Sequence, residues 1–566
     1  MYIDIVPNRK SPPAILLRES VRQGKKIVKR TIANLSDLTI EQAYAIRMIL
    51  KGEKLVAPEE HFDILRSAAH GHVDAVLLTI RKLGLDKLIA SRRSPERDRV
   101  IAMIVSRILC PQSKRALTRD WENTTLGESL DVGDASDDDL YAAMDWLIER
   151  QEGIEARLAA RHLQTGGRVL YDLSSSYFEG KQCPLAERGY NRDQKKGKLQ
   201  VNYGLLTDDR GCPVSISVFS GNTSDSQTLM PQVKRLQDKF NLTSVVLVGD
   251  RGMISQKQID ELKEHDGVKW ITALKTGAIR KLVDVGSIQM TLFDERNLFE
   301  FVHPDFPGEK LVACRNPDLA YRRKQKREAL LKATTEALEK VQLMVARGYL
   351  KDADKIGLRV GRVINQYKMA KHFNLEISEK LFNFNINNEQ VDEEAALDGI
   401  YVIRAALDDK LSAEDAVRHY KSLSQVERAF RSIKTMDLEV RPIRHYQEER
   451  VKAHLFICML AYYVKWHMME AWRPLLFADE DQQAKLTRDP VAPAVRSSGA
   501  QEKIQHKKRP DGTPVHSFQS LLRNLATIVR NTCCQSKETD TSFFTIDTQP
   551  TPSQTEAFRL LREIKV

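Results

Sequence analysis

Cysteine is scarce in this chain: seven among 566 residues, widely scattered and with no Cys-x-x-Cys pair. That scatter argues against a disulfide framework or a zinc ribbon and suits a reducing cytosol. Long apolar runs are missing too. The longest uncharged one, Leu455–Val464, stops at Lys465 and reads as a buried helix, so no membrane partner is expected. The opening Met1–Lys10 lacks the greasy core of a secretory signal. No Gly-x-x-x-x-Gly-Lys-Ser/Thr loop is present, which argues against a nucleotide cofactor, and no Gly-x-Ser-x-Gly elbow offers a serine nucleophile. His454 and Cys458, one helical turn apart in an apolar segment, read as core residues. Tyr446, set among Arg444, His445 and Arg450, fits no tyrosine-recombinase spacing.

What the chain does have is positive charge. Lys and Arg number 88 against 77 Asp and Glu, a net charge of +11 that suits a polyanionic partner. Its length is several times that of one domain, and its 42% hydrophobic content fits folded units. Residues 1–60 read as a β-hairpin, turning at Arg22-Gln23-Gly24, followed by a helix. Residues 61–165 read as a helical region. At Gly167 the texture changes. In Gly167–Gly180 the residues Val169, Tyr171 and Leu173 share one face of a strand. After the basic loop Arg188–Lys198 come two strand-like runs joined by Asp209-Arg210-Gly211, then a helix, the strand Val245–Val248, a helix and another strand.

That order predicts an antiparallel meander whose right-handed crossover lays the fourth strand parallel beside the first. The expected fold is therefore multidomain α/β with a ribonuclease H-like core, a mixed five-stranded sheet with helices. The core would occupy 166–284 and 397–475, split by a large insertion at 285–396. A mainly helical N-terminal module would precede it, and 476–566 would form a linker and tail, loosely packed or docked peripherally.

Three carboxylates stand out. Asp172 lies within the first strand, and Asp250 just beyond the apolar run Val245–Val248, at the strand end where open α/β sheets hold ligands. The third is helical: Ser412 caps a helix expected from Ala413 to Lys434, on which Tyr420, Leu423, Glu427, Phe430 and Lys434 fall within one stripe. Each acid alone reads more simply as a cap or as a partner of an arginine, Glu427 with Arg431 one turn on. Together, such oxygen-rich groups suit two Mg²⁺ or Mn²⁺ ions, which would activate a water or 3′-hydroxyl for in-line attack on a phosphodiester. Lys434, two turns beyond Glu427 and roughly 10 Å along the same face, is placed to hold a phosphate.

The motifs Y-D-L-S-S-S-Y-F-E-G around Asp172, V-L-V-G-D-R-G-M around Asp250, and Y-(x6)-E-(x6)-K from Tyr420 to Lys434 resemble bacterial insertion-sequence transposases of the DDE superfamily. They are most similar to the IS-four group, whose last acid sits in a Tyr…Arg…Glu…Lys signature helix. The likeness runs from about Gly167 to His454. One position departs: Leu423 stands where the fuller signature has arginine.

The resemblance implies that Asp172, Asp250 and Glu427 bind the catalytic metals. It implies hydrolysis of double-stranded DNA at the element's ends, then joining of the freed 3′-OH to target DNA by a homodimer that pairs two ends. It further implies a helical region, 61–165, that recognises terminal inverted repeats. A cytoplasmic, nucleoid-associated enzyme would follow. Candidate DNA contacts are Tyr420, Arg431, Lys434, the loop residues Arg192, Lys195 and Lys196, and Arg322 and Arg323 at the start of the insertion helix. A ribonuclease H-like nuclease or resolvase without strand transfer, and a non-catalytic DNA-binding remnant, are the alternatives.

Overall fold

The computed structural model describes every residue except 9–10, 25, 53–61, 290–292, 294–296, 409, 535–542 and 566, and the side chains of 485–486. The expected boundary at 60/61 lies outside the described residues. The chain forms two compact units, one of residues 1–69 with 528–549 and the other of 70–527 with 550–566.

In the smaller unit, strands Tyr2–Val6, Ala14–Gln23 and Lys26–Asn34 form an antiparallel sheet. Its turn passes through Gly24, whose φ of +64° suits glycine. The helix Ile40–Leu50 begins with a capping box between Thr39 and Gln42, and its Ala43 packs on Ile3 and Ile15. A second three-stranded sheet joins Asp63–Ala69 with Val529–Cys534 and Phe543–Asp547.

The larger unit is organised on an eight-stranded mixed sheet. Its strands are β1 (Arg168–Tyr177), β2 (Gln200–Asp208), β3 (Pro213–Ser220), β4 (Val245–Val248), β5 (Val268–Ala273), β6 (Leu298–Phe301), β7 (Glu309–Arg315) and β8 (Ile400–Ala406). They lie in the order β6-β7-β8-β5-β4-β1-β2-β3. β1, β2 and β3 pair antiparallel, while β4 is parallel to β1 and β5 parallel to β4. This 3-2-1-4-5 order is the ribonuclease H-like arrangement the sequence predicts. The β2–β3 turn closes at Gly211, whose φ of +86° only glycine adopts cheaply.

The sheet is wider than expected. β6 and β7, placed by the sequence inside the insertion, instead extend the sheet beyond β8. The remaining excursion, from Pro317 to about Gly399, holds the helices Pro317–Ala346 and Ala353–Tyr367 and the hairpin Phe373–Ile386. It has a core of its own around Leu338, Val341, Ile356 and Phe382.

The helices Gly71–Lys82, Pro95–Leu109 and Asp137–Ile148 pack on the long helix Glu448–Ala471. That helix is buried on nearly every side, as the greasy run Leu455–Val464 demands. So 70–162 belongs to the unit of the catalytic sheet, and not to a module with 1–69. The tail is likewise not loose. Leu521 and Leu525 of Phe518–Ala526 and Ala557 and Leu561 of Pro552–Arg562 are fully buried, and the Trp472 indole N–H donates to the Ala557 carbonyl at 3.0 Å. Among the described residues no helix is long and apolar enough to cross a membrane.

Candidate active site

The register of the central strands brings two acids side by side. In the parallel pair β1–β4, Leu170 is opposite Val248. Asp172 and Asp250 each stand two residues further on, Asp172 within β1 and Asp250 just past the end of β4. Asp172 is half-buried in mid-strand, and the Leu173 N–H donates to its Oδ1 at 2.8 Å. Asp250 follows Gly249 beyond the strand end and is exposed.

The helix expected from Ala413 to Lys434 is not continuous. It runs Ala413–Lys421, breaks at Ser422, resumes over Leu423–Arg431 and widens into a π-turn at Ser432–Met436. One face still carries Tyr420, Leu423, Glu427, Phe430, Arg431 and Lys434 toward β1. Together with Asp172 and Asp250 they line a cleft of about 590 Å³. Glu427 is exposed along the cleft wall.

The charges in this cleft fall into two sets. Asp225 takes both of its hydrogen bonds from Arg192 at 2.7 Å. Asp193, whose side chain is fully buried, pairs with Lys434 Nζ at 2.7 Å and with Arg441, and also accepts from the Tyr177 N–H at 3.0 Å. Lys434 donates in addition to Ser174 Oγ at 3.2 Å. Asp172, Asp250 and Glu427, in contrast, have no ion-pair partner among the described residues. The Glu427–Arg431 pair that helix spacing allows is not formed.

The cost of this arrangement falls on Asp172. Burial pushes its carboxyl up to about 7; the Leu173 N–H and Arg192 oppose the rise, and Asp250 and Glu427 add to it. Burial also moves Tyr420 up to about 12, reinforced by the Asp250 carboxylate it faces. Burial lowers the Lys434 ammonium, and Asp193 opposes the fall.

These acids fit divalent cations of the Mg²⁺ class by donor chemistry. They are hard oxygen ligands, Asp250 and Glu427 add to the rise at Asp172, and the nearby cations Arg192, Lys434 and Arg441 are already committed to other acids. No three acids converge with oxygens within 4.8 Å among the described residues.

Of the other candidate contacts, Tyr420, Arg431, Lys434 and Arg192 line the cleft, whereas Lys195 and Lys196 do not. Lys195 sits 5.9 Å from the Tyr177 ring centroid. Arg322 and Arg323 are exposed on the excursion helix. Arg323 lines a separate basic cavity that also contains Arg251, the neighbour of Asp250. Leu423 lies in the cleft, and Arg431, not Arg428, is the nearby cation there. Sequence reasoning missed Asp193, hidden in a loop read as basic, and Asp225, just after the third strand. It also missed Arg441.

Residues 169–464, just over half of the chain, match the family described as Transposase DDE domain. Residues 3–61 match the IS1634 family transposase N-terminal domain. No curated protein matches. Among solved structures, the cryo-EM structure of the piggyBac transposase synaptic complex with hairpin DNA is similar over 80% of this chain and 76% of that one, at 10% identity and a TM-score of 0.36.

Proposed function

The chain belongs to the DDE transposases of bacterial insertion sequences, and from that premise we propose how its cleft works. The reading is that Asp172, Asp250 and Glu427 hold two Mg²⁺ or Mn²⁺ ions, cut DNA at the element's terminal inverted repeats and join the 3′-OH ends to target DNA, with two copies of the chain pairing the two ends. One observation carries it: three carboxylates share a cleft and none has an ion-pair partner among the described residues, while the other acids lining it, Asp193 and Asp225, are paired. Bound there, the ions supply a lowered pKa for the attacking water or hydroxyl and a counter-charge for the leaving oxygen.

The protein's own contribution is placement. β1 fixes Asp172 within a pleated strand, so its oxygens do not wander. Asp193 pins Lys434 and Arg441 at the mouth of the cleft. Two cations on one carboxylate leave a net positive charge there, suited to the phosphate next to the one being cut. Tyr420 closes the side of Asp250 and limits water there.

A second cavity, about 530 Å³, shares Arg441 with the cleft. It contains Arg107 and Lys114, both buried and neither paired with a carboxylate among the described residues. Among the described residues Arg107 donates to the carbonyls of Leu438 and Gln112. We assign this cavity to a further backbone phosphate of the same strand, since a buried cation without a counter-ion is costly until an anion arrives.

The test is incubation of the purified chain with DNA carrying the flanks of its own gene and Mg²⁺, with mapping of nicks and joined products. Nicks at the repeat ends followed by joining support the reading. Cleavage without joining would reduce it to a nuclease. Wild-type cleavage by Asp250→Asn would overturn the site.

A further inference from the structure

Away from the acidic cleft, three side chains from distant parts of the chain meet. His162 ends the helix Gln151–His162, Cys212 follows the β2–β3 turn, and His467 lies on the long helix Glu448–Ala471. One donor atom from each lies within 4.8 Å of the other two, the one such group of His, Cys, Asp and Glu among the described residues. Cys212 Sγ is 3.8 Å from His467 Nε2. Two ligands of one tetrahedral zinc, at about 2.3 and 2.0 Å from the ion, stand about 3.5 Å apart, so a few tenths of an ångström separate this pair from ligand spacing. The two imidazole centroids are 5.6 Å apart.

The surroundings suit ligands. Cys212 is fully buried and His467 nearly so. The Tyr463 hydroxyl is 2.9 Å from His162 Nε2 and holds that ring in one orientation, as hydrogen bonds behind metal ligands do. Cys212 N–H donates to Asp208 Oδ1 at 2.9 Å, which fixes the backbone carrying the thiol. Two arginines stand nearby. Arg210 is neutralised by Asp208 at 2.8 Å, and Arg161 is turned to the Leu83 carbonyl at 2.7 Å. A thiolate formed on binding would offset half of the charge of a divalent ion.

We propose that His162, Cys212 and His467 form a binding site for a borderline-soft divalent metal of the Zn²⁺ class, its fourth position facing the adjoining cavity of about 380 Å³ that Glu470 also lines. Mixed sulfur and nitrogen donors select against Mg²⁺, so this site and the carboxylate cleft take different ions. Binding releases the thiol proton to solvent and forms one metal–sulfur and two metal–nitrogen bonds, with no change of oxidation state. The ion would tie the helical layer, the β2–β3 hairpin and the long helix together, so its role is structural.

Co²⁺ is the probe, added to the full-length chain after chelator treatment. The expected result is a near-ultraviolet thiolate-to-cobalt charge-transfer band that saturates at one ion per chain and is displaced by Zn²⁺ but not by Mg²⁺. Cys212→Ser should abolish the band. His162→Gln, at a half-buried position, should retain the fold by circular dichroism and weaken Co²⁺ binding at least tenfold. The double variant Asp172→Asn, Asp250→Asn should keep the band, which separates this site from the catalytic one. No band in the wild-type chain, or the same band in the folded His162→Gln chain at unchanged affinity, would overturn the proposal.

Discussion

The acidic cleft and the cavity beside it are opposites that share a wall. The first gathers Asp172, Asp250 and Glu427, none with an ion-pair partner among the described residues; the second, which Glu439 also lines, gathers Arg107 and Lys114, neither of them paired with a carboxylate among the described residues; Arg441 lines both. Unlike charges were not paired across the wall, although pairing them would have been the cheaper way to bury both. Under the proposed function, the unpaired charge on each side is met by an added group, a cation on one side and a phosphate on the other. The contrast teaches that unpaired charge, more than charge density, singles out the surface we propose for DNA. The exposed Lys195 and Lys196 are denser in sequence and touch neither cavity.

The comparison can be broken most severely from the acidic side. Asp250→Asn or Asp172→Asn should lower the Mg²⁺-dependent cleavage rate by about a thousandfold or more, while gel-shift affinity for the repeat DNA stays within a few-fold. An equal loss of affinity would show that the acids act by holding the fold. Next in size, Asp193→Asn frees Lys434 and Arg441 from their shared partner. Cleavage should fall by roughly a hundredfold, and the buried-pair loss should lower Tm as well, by several degrees in calorimetry.

On the basic side, Lys114→Met should weaken DNA binding by about tenfold and reduce the slope of log affinity against log salt by about one. Burial first, and then Arg107, brings the Lys114 ammonium down to about 7. A phosphate binds the protonated form, so wild-type affinity should fall as pH rises from 6 to 8. Lys114→Arg should retain the affinity and lose that dependence, because an arginine stays charged.

The smallest effect concerns stability. The Asp172 carboxyl lies at about 7 in the folded chain and near 3.9 in an unfolded one. The folded state therefore holds the extra proton between those values, and metal-free stability is lost as pH climbs from about 4 to 7. In chelator, Asp172→Asn should melt a few degrees above wild type at pH 8 and level with it at pH 4. Added Mg²⁺ should reverse the order at pH 8.

Much of the catalytic core is legible in the sequence because its signals are local. The β-branched run Val245–Val248, the turn at Gly211 and the stripe from Tyr420 to Lys434 each declare themselves within one element. Crossover handedness then puts Asp172 beside Asp250. Elements whose identity depends on distant partners are not legible. The strands Leu298–Phe301 and Glu309–Arg315 look like any short strands until β8, some ninety residues later, gives them an edge to pair with. The tail reads as polar because its few leucines are buried by Trp472 and its neighbours, which the local pattern does not show. Asp193 and Asp225 were hidden by the basic and capping residues around them, and His162, Cys212 and His467 share no sequence window at all. The break at Ser422 has no proline or glycine to announce it.

One pairing carries a lesson about how such a chain can change. Arg315, the last residue of β7, lies opposite Ile400, the first of β8, and the Asn316 N–H donates to the Gly399 carbonyl at 2.9 Å. To the sheet, everything between is one hairpin loop, closed at its base by ordinary ladder bonds. An excursion with its own core can therefore be lengthened, trimmed or exchanged without moving a rung of the catalytic ladder. Evolution is free to rewrite that segment while the chemistry next door keeps its alignment.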